Sequence, residues 1–329
     1  MKIALLGAGA WGTALAVNLA PRHSVTLWAR NPAQIAAMQA AQSNSRYLPG
    51  VLLPKSLGLT TDLAATVSAA EVIIVTTPSG AFRDLLNTFA PLIPHTPVIW
   101  ACKGFESGSM KLLHQVAAEA LLPSTPRGVL SGPSFAKEVA AGLPTALTLA
   151  SQDVAALSVA SHLHNHHLRV YTSADIIGVE VGGALKNVIA IAAGISDGLQ
   201  FGFNARAALI SRSLAEMIRL GQMLGGQPET FMGLTGMGDL ILTATSDLSR
   251  NRQVGLRLAA GMNLTTILHD LGHIAEGVTT TREVDQLAQQ LGVEMPVVHA
   301  VCQILYHGMA PKIAVDSLLN REPKAELSH

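Results

Sequence analysis

The sequence predicts an α/β half, residues 1–175, built on a doubly wound sheet, followed by an all-α half, residues 176–329. Three observations predict it. Short apolar runs alternate with helix-like stretches as far as Tyr171, the pattern of strands covered on both faces by crossover helices. Beyond about Asp175 the apolar periodicity is helical throughout. The first strand-like run ends in glycines at the spacing G-x-G-x-x-G. At 329 residues the chain also exceeds the size at which one core keeps growing, so two domains are expected.

Ile3 to Leu6 reads as a strand buried on both faces, followed by Gly7-Ala8-Gly9-Ala10-Trp11-Gly12 and a helical run from Thr13 to Leu19. In that spacing the glycines make a tight turn, let backbone approach a pyrophosphate, and pack helix closely on strand; the helix N-terminus adds unpaired N–H donors. Glycine turns occur in every fold, and the position between a first strand and a helix is what makes this one informative. The same stretch, uncharged from Ile3 to Pro21, superficially resembles an export signal or a membrane span. An apolar signal core needs no glycines at fixed offsets, so neither an export signal nor a membrane span is expected.

The next strand, Val25 to Trp28, ends in Ala29-Arg30-Asn31, where an NAD-selective site carries a carboxylate for the ribose diol. None is present. Arg30 is placed to pair with a 2′-phosphate, so NADP(H) is favoured and NAD(H) is the alternative; an ordinary surface arginine beside an Asn31-Pro32 helix cap would look the same. Further strands are expected near Leu57 to Leu59, at Val72 to Thr76, Val98 to Ala101, Gly128 to Leu130, Thr145 to Ala150 and Arg169 to Tyr171. In such Rossmann-type sheets ligands sit outside the carboxyl ends of the strands, where the turns at Gly7, Arg30, Pro78, Lys103 and Ser131 fall. Lys103 is therefore expected in the cofactor crevice, with an exposed turn before Gly104 as the alternative. Helices are expected at Val181 to Ile195, Ala205 to Leu224, Arg252 to Ala260, Val278 to Leu291, Val297 to Tyr306 and Pro311 to Leu319, with a frayed tail from Glu322.

Hydrophobic residues make up 49% and charged residues 13%, enough for large cores. Lys plus Arg and Asp plus Glu both number 22, which leaves no basic surplus for a nucleic acid. Cys102 and Cys302 form neither a disulfide framework nor a zinc ligand set and fit a reducing, cytoplasmic setting. The cluster His162, His164, His166 and His167 has no acidic neighbour and reads as a solvated turn, so no metal is expected.

The second half carries the candidate chemistry. In Val181 to Ser196 the only charge is Lys186, within a segment too apolar for an exposed helix. A buried ammonium finds a carboxylate or lowers its pKa, and both suit a proton donor; snorkelling to the helix edge is the alternative. Asp239, among glycines in Gly233-Leu234-Thr235-Gly236-Met237-Gly238-Asp239, either caps the next helix or partners Lys186. Ser249-Arg250-Asn251-Arg252 opens a helix either as an exposed cap with solvated arginines or as a phosphate site in which Arg250 supplies a fork. Asn187, Asn204, Arg206 and Glu276 are further polar candidates.

From Ile3 to about Leu319 the chain resembles the bacterial NAD(P)-dependent glycerol-3-phosphate dehydrogenases. The resemblance rests on GAGAWGTALA, Ala101-Cys102-Lys103-Gly104, SGPSFAKEVAAGLPTA from Ser131, VGGALKNVIAIAAGISDGL from Val181, NARAALI from Asn204, GLTGMGDLILTATSDLSRN from Gly233 and AEGVTTTREV from Ala275. Ala244 stands where many members carry cysteine, and the His-rich turn is particular to this chain. The resemblance implies a dinucleotide-binding domain, a helical domain and an active site in the cleft between them. It implies Lys186 as the proton-transferring residue, with Lys103 and Asp239 beside the reacting carbons. Gly132, Ser134, Ser249, Arg250 and Asn251 would contact the substrate. Gly7, Gly9, Ala10, Trp11, Gly12, Arg30, Lys103, Ala136, Arg250, Ile274 and Glu276 would line the cofactor site. A homodimer is implied as well.

The expected reaction is reduction of dihydroxyacetone phosphate to sn-glycerol 3-phosphate, which supplies the backbone of phospholipids. Lys186 would give the proton, Asp239 would orient it, Lys103 would stabilise negative charge, and Arg250 with Asn251 would anchor the phosphate. The rival readings are a β-hydroxyacid or ketopantoate-type reductase and a non-catalytic NADP(H) sensor; a carboxylate substrate has no use for a phosphate anchor, and a sensor none for Lys103, Lys186 and Asp239 together.

Overall fold

The computed structural model describes residues 1–93, 95–271 and 275–320. The expected cofactor residue Ile274 and the expected frayed tail from Glu322 lie outside the described residues. The chain divides into two compact units, Met1–Ala184 with Gly221–Asp239, and Leu185–Leu220 with Leu240–His329.

Eight strands form one sheet in the first unit: β1 (Lys2–Leu6), β2 (Ser24–Trp28), β3 (Gly58–Thr60), β4 (Val72–Val75), β5 (Val98–Trp100), β6 (Arg127–Ser131), β7 (Thr145–Ala150) and β8 (Leu168–Ser173). Their order is β3-β2-β1-β4-β5-β6-β7-β8. The chain winds outward from β1 in one direction through β2 and β3, then returns to the other side of β1 with β4. That reversal is the switch point at which doubly wound sheets bind ligands, and the Gly7 turn leaves β1 there. Strands such as Val-Ile-Ile-Val in β4 are buried at every position, because helices cover both faces and no polar alternation is needed. One face packs Leu5, Leu15, Leu19, Val25 and Leu27; the other packs Leu6, Val75, Phe82, Phe89 and Trp100, with the Phe82 and Trp100 rings 5.7 Å apart at 59°.

All neighbouring strands are parallel except β6 and β7. A parallel return needs a crossover long enough to traverse the sheet, and between Ser131 and Thr145 the chain makes only the Ser131-Gly132-Pro133-Ser134 turn and the short helix Ala136–Ala140. The antiparallel return is what that length allows.

The expected boundary near residue 175 marks the last strand, but the division of contacts falls inside the Ile176–Gly198 helix, and Gly221–Asp239 packs back on the first unit. Small residues permit this return. A Cβ at Gly182 would lie 2.5 Å from Thr235 O, and one at Gly226 would lie 3.2 Å from Gly178 Cα. Asp175 ties it down, accepting from Gly178 N and Gln227 N.

In the second unit, the Arg250–Ala259 helix crosses the long helix backbone to backbone. A Cβ at Gly194 would sit 2.1 Å from Arg252 O, and one at Gly255 2.1 Å from Ile191 O. The Glu276–Leu291 helix approaches equally closely, with a Cβ at Gly277 2.5 Å from Asn187 O. Glu216 accepts from Val297 N and Val298 N and so caps the Pro296–Tyr306 helix. The long helix is apolar enough to span a membrane by length and composition, but 89% of its most apolar window is buried inside the protein. Every residue from 178 to 196 is buried, as its composition predicts.

Candidate active site

The glycine turn is held from several sides. Gly7, at φ +121°, donates its N–H to Trp28 O at the end of β2, and its carbonyl accepts from Thr76 Oγ1 at the end of β4. Ala8 O accepts from Gln34 Nε2 and from buried Asn44 Nδ2, which also donates to Thr13 Oγ1. A Cβ at Gly12 would lie 2.1 Å from Gly7 O, whereas one at Gly9 would meet nothing within 4 Å. Gly9 N-caps the Ala10–Leu19 helix without a side chain. The turn therefore presents an uncovered helix N-terminus with space beside it, which fits the pyrophosphate of a dinucleotide. Arg30 follows β2 and is exposed, while Asn31 is occupied as the cap of the next helix.

At the carboxyl end of β5, Lys103 reaches inward rather than into solvent. Its Nζ lies 2.6 Å from Asp239 Oδ2 and 3.3 Å from Gly132 O; the side chains are 16% and 1% exposed respectively. Asp239 emerges from a wide π-type turn, Leu234–Gly238, in which a Cβ at Gly236 would meet Phe231 O at 2.0 Å. Such turns aim one side chain off the regular helical path. Gly183 lies over the pair's lysine, since a Cβ there would be 3.6 Å from Lys103 Cγ. Gly132, at φ +139°, and Ser134 belong to the same place, and Ser134 Oγ accepts from Trp11 Nε1 at 3.1 Å. Ala136 opens the short helix that packs on Ala14. The sequence reads Asp239 as a cap of the next helix or a partner of Lys186 and names no pairing with Lys103, which the structure adds.

In the second unit Lys186 is 9% exposed, and its Nζ donates to Thr243 Oγ1 at 3.0 Å. Thr243, 4% exposed, was not singled out in the sequence because an uncharged hydroxyl in the apolar run Leu240–Thr245 gives no pattern signal. The next residue, Asn187, accepts from Asn251 Nδ2, whose Oδ1 accepts from Gly277 N. Asn251 thus joins three helices. Ser249 caps the Arg250–Ala259 helix by accepting from Arg252 N, and it is buried rather than exposed. The two arginines differ. Arg250 is exposed, whereas Arg252 is buried, with Nε and Nη2 on Asp197 Oδ2 and Nη1 on Asp247 Oδ1. Burial works against the Arg252 charge, but the bonds to Asp197 and Asp247 outweigh it and raise its pKa. Arg206 also pairs with Asp197, at 3.0 Å. Glu276 is the half-buried first residue of its helix.

Among the described residues, no group of three or more His, Cys, Asp or Glu side chains is arranged to hold a metal ion. His162 ends the Val154–Leu163 helix, and Asn165 caps the turn that follows it by accepting from His167 N and Leu168 N.

The sheet order and the glycine turn at its switch point place the chain in the class of dinucleotide-binding α/β proteins. Family models sharpen this: the NAD-dependent glycerol-3-phosphate dehydrogenase N-terminus matches residues 2–157, and its C-terminus matches residues 175–316. The chain is 58% identical to the glycerol-3-phosphate dehydrogenase [NAD(P)+] of Thiobacillus denitrificans, covering 99% of this chain and 100% of that one, and 57% identical to that of Nitrosospira multiformis at the same coverage. The crystal structure of the Coxiella burnetii glycerol-3-phosphate dehydrogenase superposes with a TM-score of 0.93 at 44% identity, covering 97% of this chain and 98% of that one. The chain belongs to the NAD-dependent glycerol-3-phosphate dehydrogenase family. A ketopantoate reductase from Ralstonia eutropha, 15% identical with a TM-score of 0.57, shares the fold alone.

Proposed function

We propose that this chain reduces dihydroxyacetone phosphate to sn-glycerol 3-phosphate, reversibly, in the cytoplasm and as a homodimer. Within the family's reaction, the observation that carries the reading is the partly buried Lys103–Asp239 pair at the carboxyl end of β5, in the same unit as the dinucleotide turn. A reduced nicotinamide dinucleotide supplies the hydride, and NADPH is preferred because Arg30 stands where NAD-selective sites carry a carboxylate.

As the hydride forms a C–H bond at the ketone carbon, the carbonyl π electrons move onto oxygen and a proton must arrive there. Lys186 donates it, with Thr243 accepting a second ammonium N–H to hold the group in one rotamer. Lys103, fixed by Asp239 and Gly132 O, stabilises the negative charge that develops on oxygen. Arg250, exposed on the first turn of its helix, takes the phosphate with the helix N-terminus behind it, and Ser249 and Asn251 shape that turn.

The test is oxidation of NADPH and, separately, NADH in the presence of dihydroxyacetone phosphate or unphosphorylated dihydroxyacetone. Oxidation with the phosphorylated ketone alone is expected, with NADPH the better donor. Lys186→Met should lower kcat by about 10²-fold or more, and Arg250→Ala should mainly raise KM. An unchanged kcat in the Lys186 variant removes that residue from the chemistry. Sedimentation checks the dimer and cell fractionation the location.

A further inference from the structure

Hydrogen bonds run in an unbroken chain through the first unit, from the dinucleotide turn to the Lys103–Asp239 ion pair. Trp11 Nε1 donates to Ser134 Oγ at 3.1 Å. Ser134 Oγ donates to Gly132 O at 3.2 Å. The same carbonyl accepts from Lys103 Nζ at 3.3 Å, and that ammonium lies 2.6 Å from Asp239 Oδ2. Trp11 stands in the first turn of the helix whose bare N-terminus faces the open side of Gly9.

Each link is held so that a displacement at one end reaches the other. Gly132 packs closely on β7, since a Cβ there would meet Ala146 O at 3.0 Å and Leu147 Cα at 3.1 Å, and its φ of +139° is one that other residues rarely adopt. Both acceptor directions of the carbonyl are used, one by Ser134 and one by Lys103. The Ser134 hydroxyl proton is committed to Gly132 O, so its lone pair faces the indole. The Lys103 ammonium has three N–H donors, and two are directed, at Gly132 O and Asp239. Tetrahedral geometry then fixes where the third one points.

We infer that the Trp11 indole N–H is a positioning group for Lys103, and that dinucleotide and ketone binding are coupled through Ser134 and the Gly132 carbonyl. This rests on the functional reading above. A dinucleotide seated on the Ala10–Leu19 helix adds contacts to the turn that carries Trp11, whose indole already bonds Ser134. Held more firmly there, the indole locks Ser134, and Lys103 presents its third N–H to the substrate in one direction. Coupling of this kind is reciprocal, so the ketone tightens dinucleotide binding by the same factor.

Trp11→Phe keeps an aromatic ring and deletes the donor. Loss of one such bond corresponds to about a three- to tenfold change. The factor by which saturating NADPH tightens the ketone's binding should fall by that amount, with KM for dihydroxyacetone phosphate rising in step. Ser134→Ala should give the same loss, and the double variant Trp11→Phe/Ser134→Ala should be no worse than Ser134→Ala alone within about twofold, because both changes cut one chain. Ser134→Thr keeps the hydroxyl and should restore the coupling, which a purely structural defect would not allow. Additive losses in the double variant, or a Trp11→Phe protein with weaker NADPH binding and an unchanged KM for the ketone, overturn the inference alone. A wild-type protein that oxidises NADPH with no phosphorylated ketone overturns the functional reading and this inference together.

Discussion

Gly255→Ala is expected to destabilise the second unit, although helix propensity argues the reverse. Gly255 lies inside the Arg250–Ala259 helix, where alanine is intrinsically better by about 1 kcal/mol. Its Cβ, however, would sit 2.1 Å from Ile191 O and 2.7 Å from Ile195 N on the long helix, against an ordinary contact distance of at least 3.4 Å. About 1.3 Å of separation has to open. The opposing atoms are backbone of a regular helix, so no rotamer change relieves them. Gly194 meets Arg252 O on the same crossing, so the two helices cannot slide past one another to escape. Overpacking of this kind costs about 1–3 kcal/mol, and a purely backbone contact belongs at or above the upper end. The net loss is then about 2 kcal/mol or more, a fall in Tm of at least about 4–8 °C. Urea unfolding and a thermal melt followed by far-UV circular dichroism measure it. KM for the phosphorylated ketone should rise as well, since Ser249, Arg250 and Asn251 ride on the displaced helix. A variant as stable as the wild type, or more so, would refute the argument that this crossing is set by backbone contact.

The remaining predictions concern charge and thiol groups. Arg252→Lys keeps the charge but loses the fork that spans Asp197 and Asp247, so stability should fall by about 1–3 kcal/mol and KM for the ketone phosphate should rise as the Ser249–Asn251 turn loosens; an unchanged KM would confine Arg252 to a structural role. The Cys302 thiol is pushed up to about 12, first by burial and then by Asp285, and Cys102 is 5% exposed, so a thiol reagent at pH 8 should label neither in the native protein and both after unfolding. Glu106 is held below its usual range by Arg83, with Ser109 adding a further bond. The stability this pair contributes is present above about pH 4.5 and is lost as pH falls through the lower folded value. Arg83→Met should therefore be less stable than wild type by about 0.5–1 kcal/mol at pH 7, with the gap closing as acid is added; a gap that stays constant into acid would show that the loss is packing.

What the sequence made legible, and what it hid, follows from how each feature is encoded. Runs such as Val72 to Val75 and the glycines of the β1 turn carry their structure locally, and the sheet could be read strand by strand. So could burial of the long helix, because Lys186 is alone among aliphatic residues. Pairings between distant residues were another matter. Nothing near Lys103 names Asp239, and nothing near Lys186 names Thr243, so these contacts needed the fold. Arg252 reads like Arg250 beside it, yet one is buried on two aspartates and the other is exposed; helical rotation alone separates them. Gly194, Gly255 and Gly277 look like weak points in helices until the facing backbone is known. Asn44, whose amide holds both Ala8 O and Thr13 Oγ1, sits in an irregular stretch that no motif covers.

The charged groups differ in what their bonds hold together. Glu180 accepts from Trp100 Nε1, His114 N and His114 Nδ1, a set that ties the long helix to β5 and to the Leu113–Ala120 helix. Arg252 and Asp197 likewise spend their geometry on one another. Such groups act as fasteners, and aliphatic residues of similar volume could replace many of them at little cost in stability. Lys103 spends two of its three donors, on Gly132 O and Asp239. Desolvating such a pair is expensive, so its net contribution to stability is small. On the proposed reading the third donor is left for the substrate oxygen, where it would stabilise a developing alkoxide.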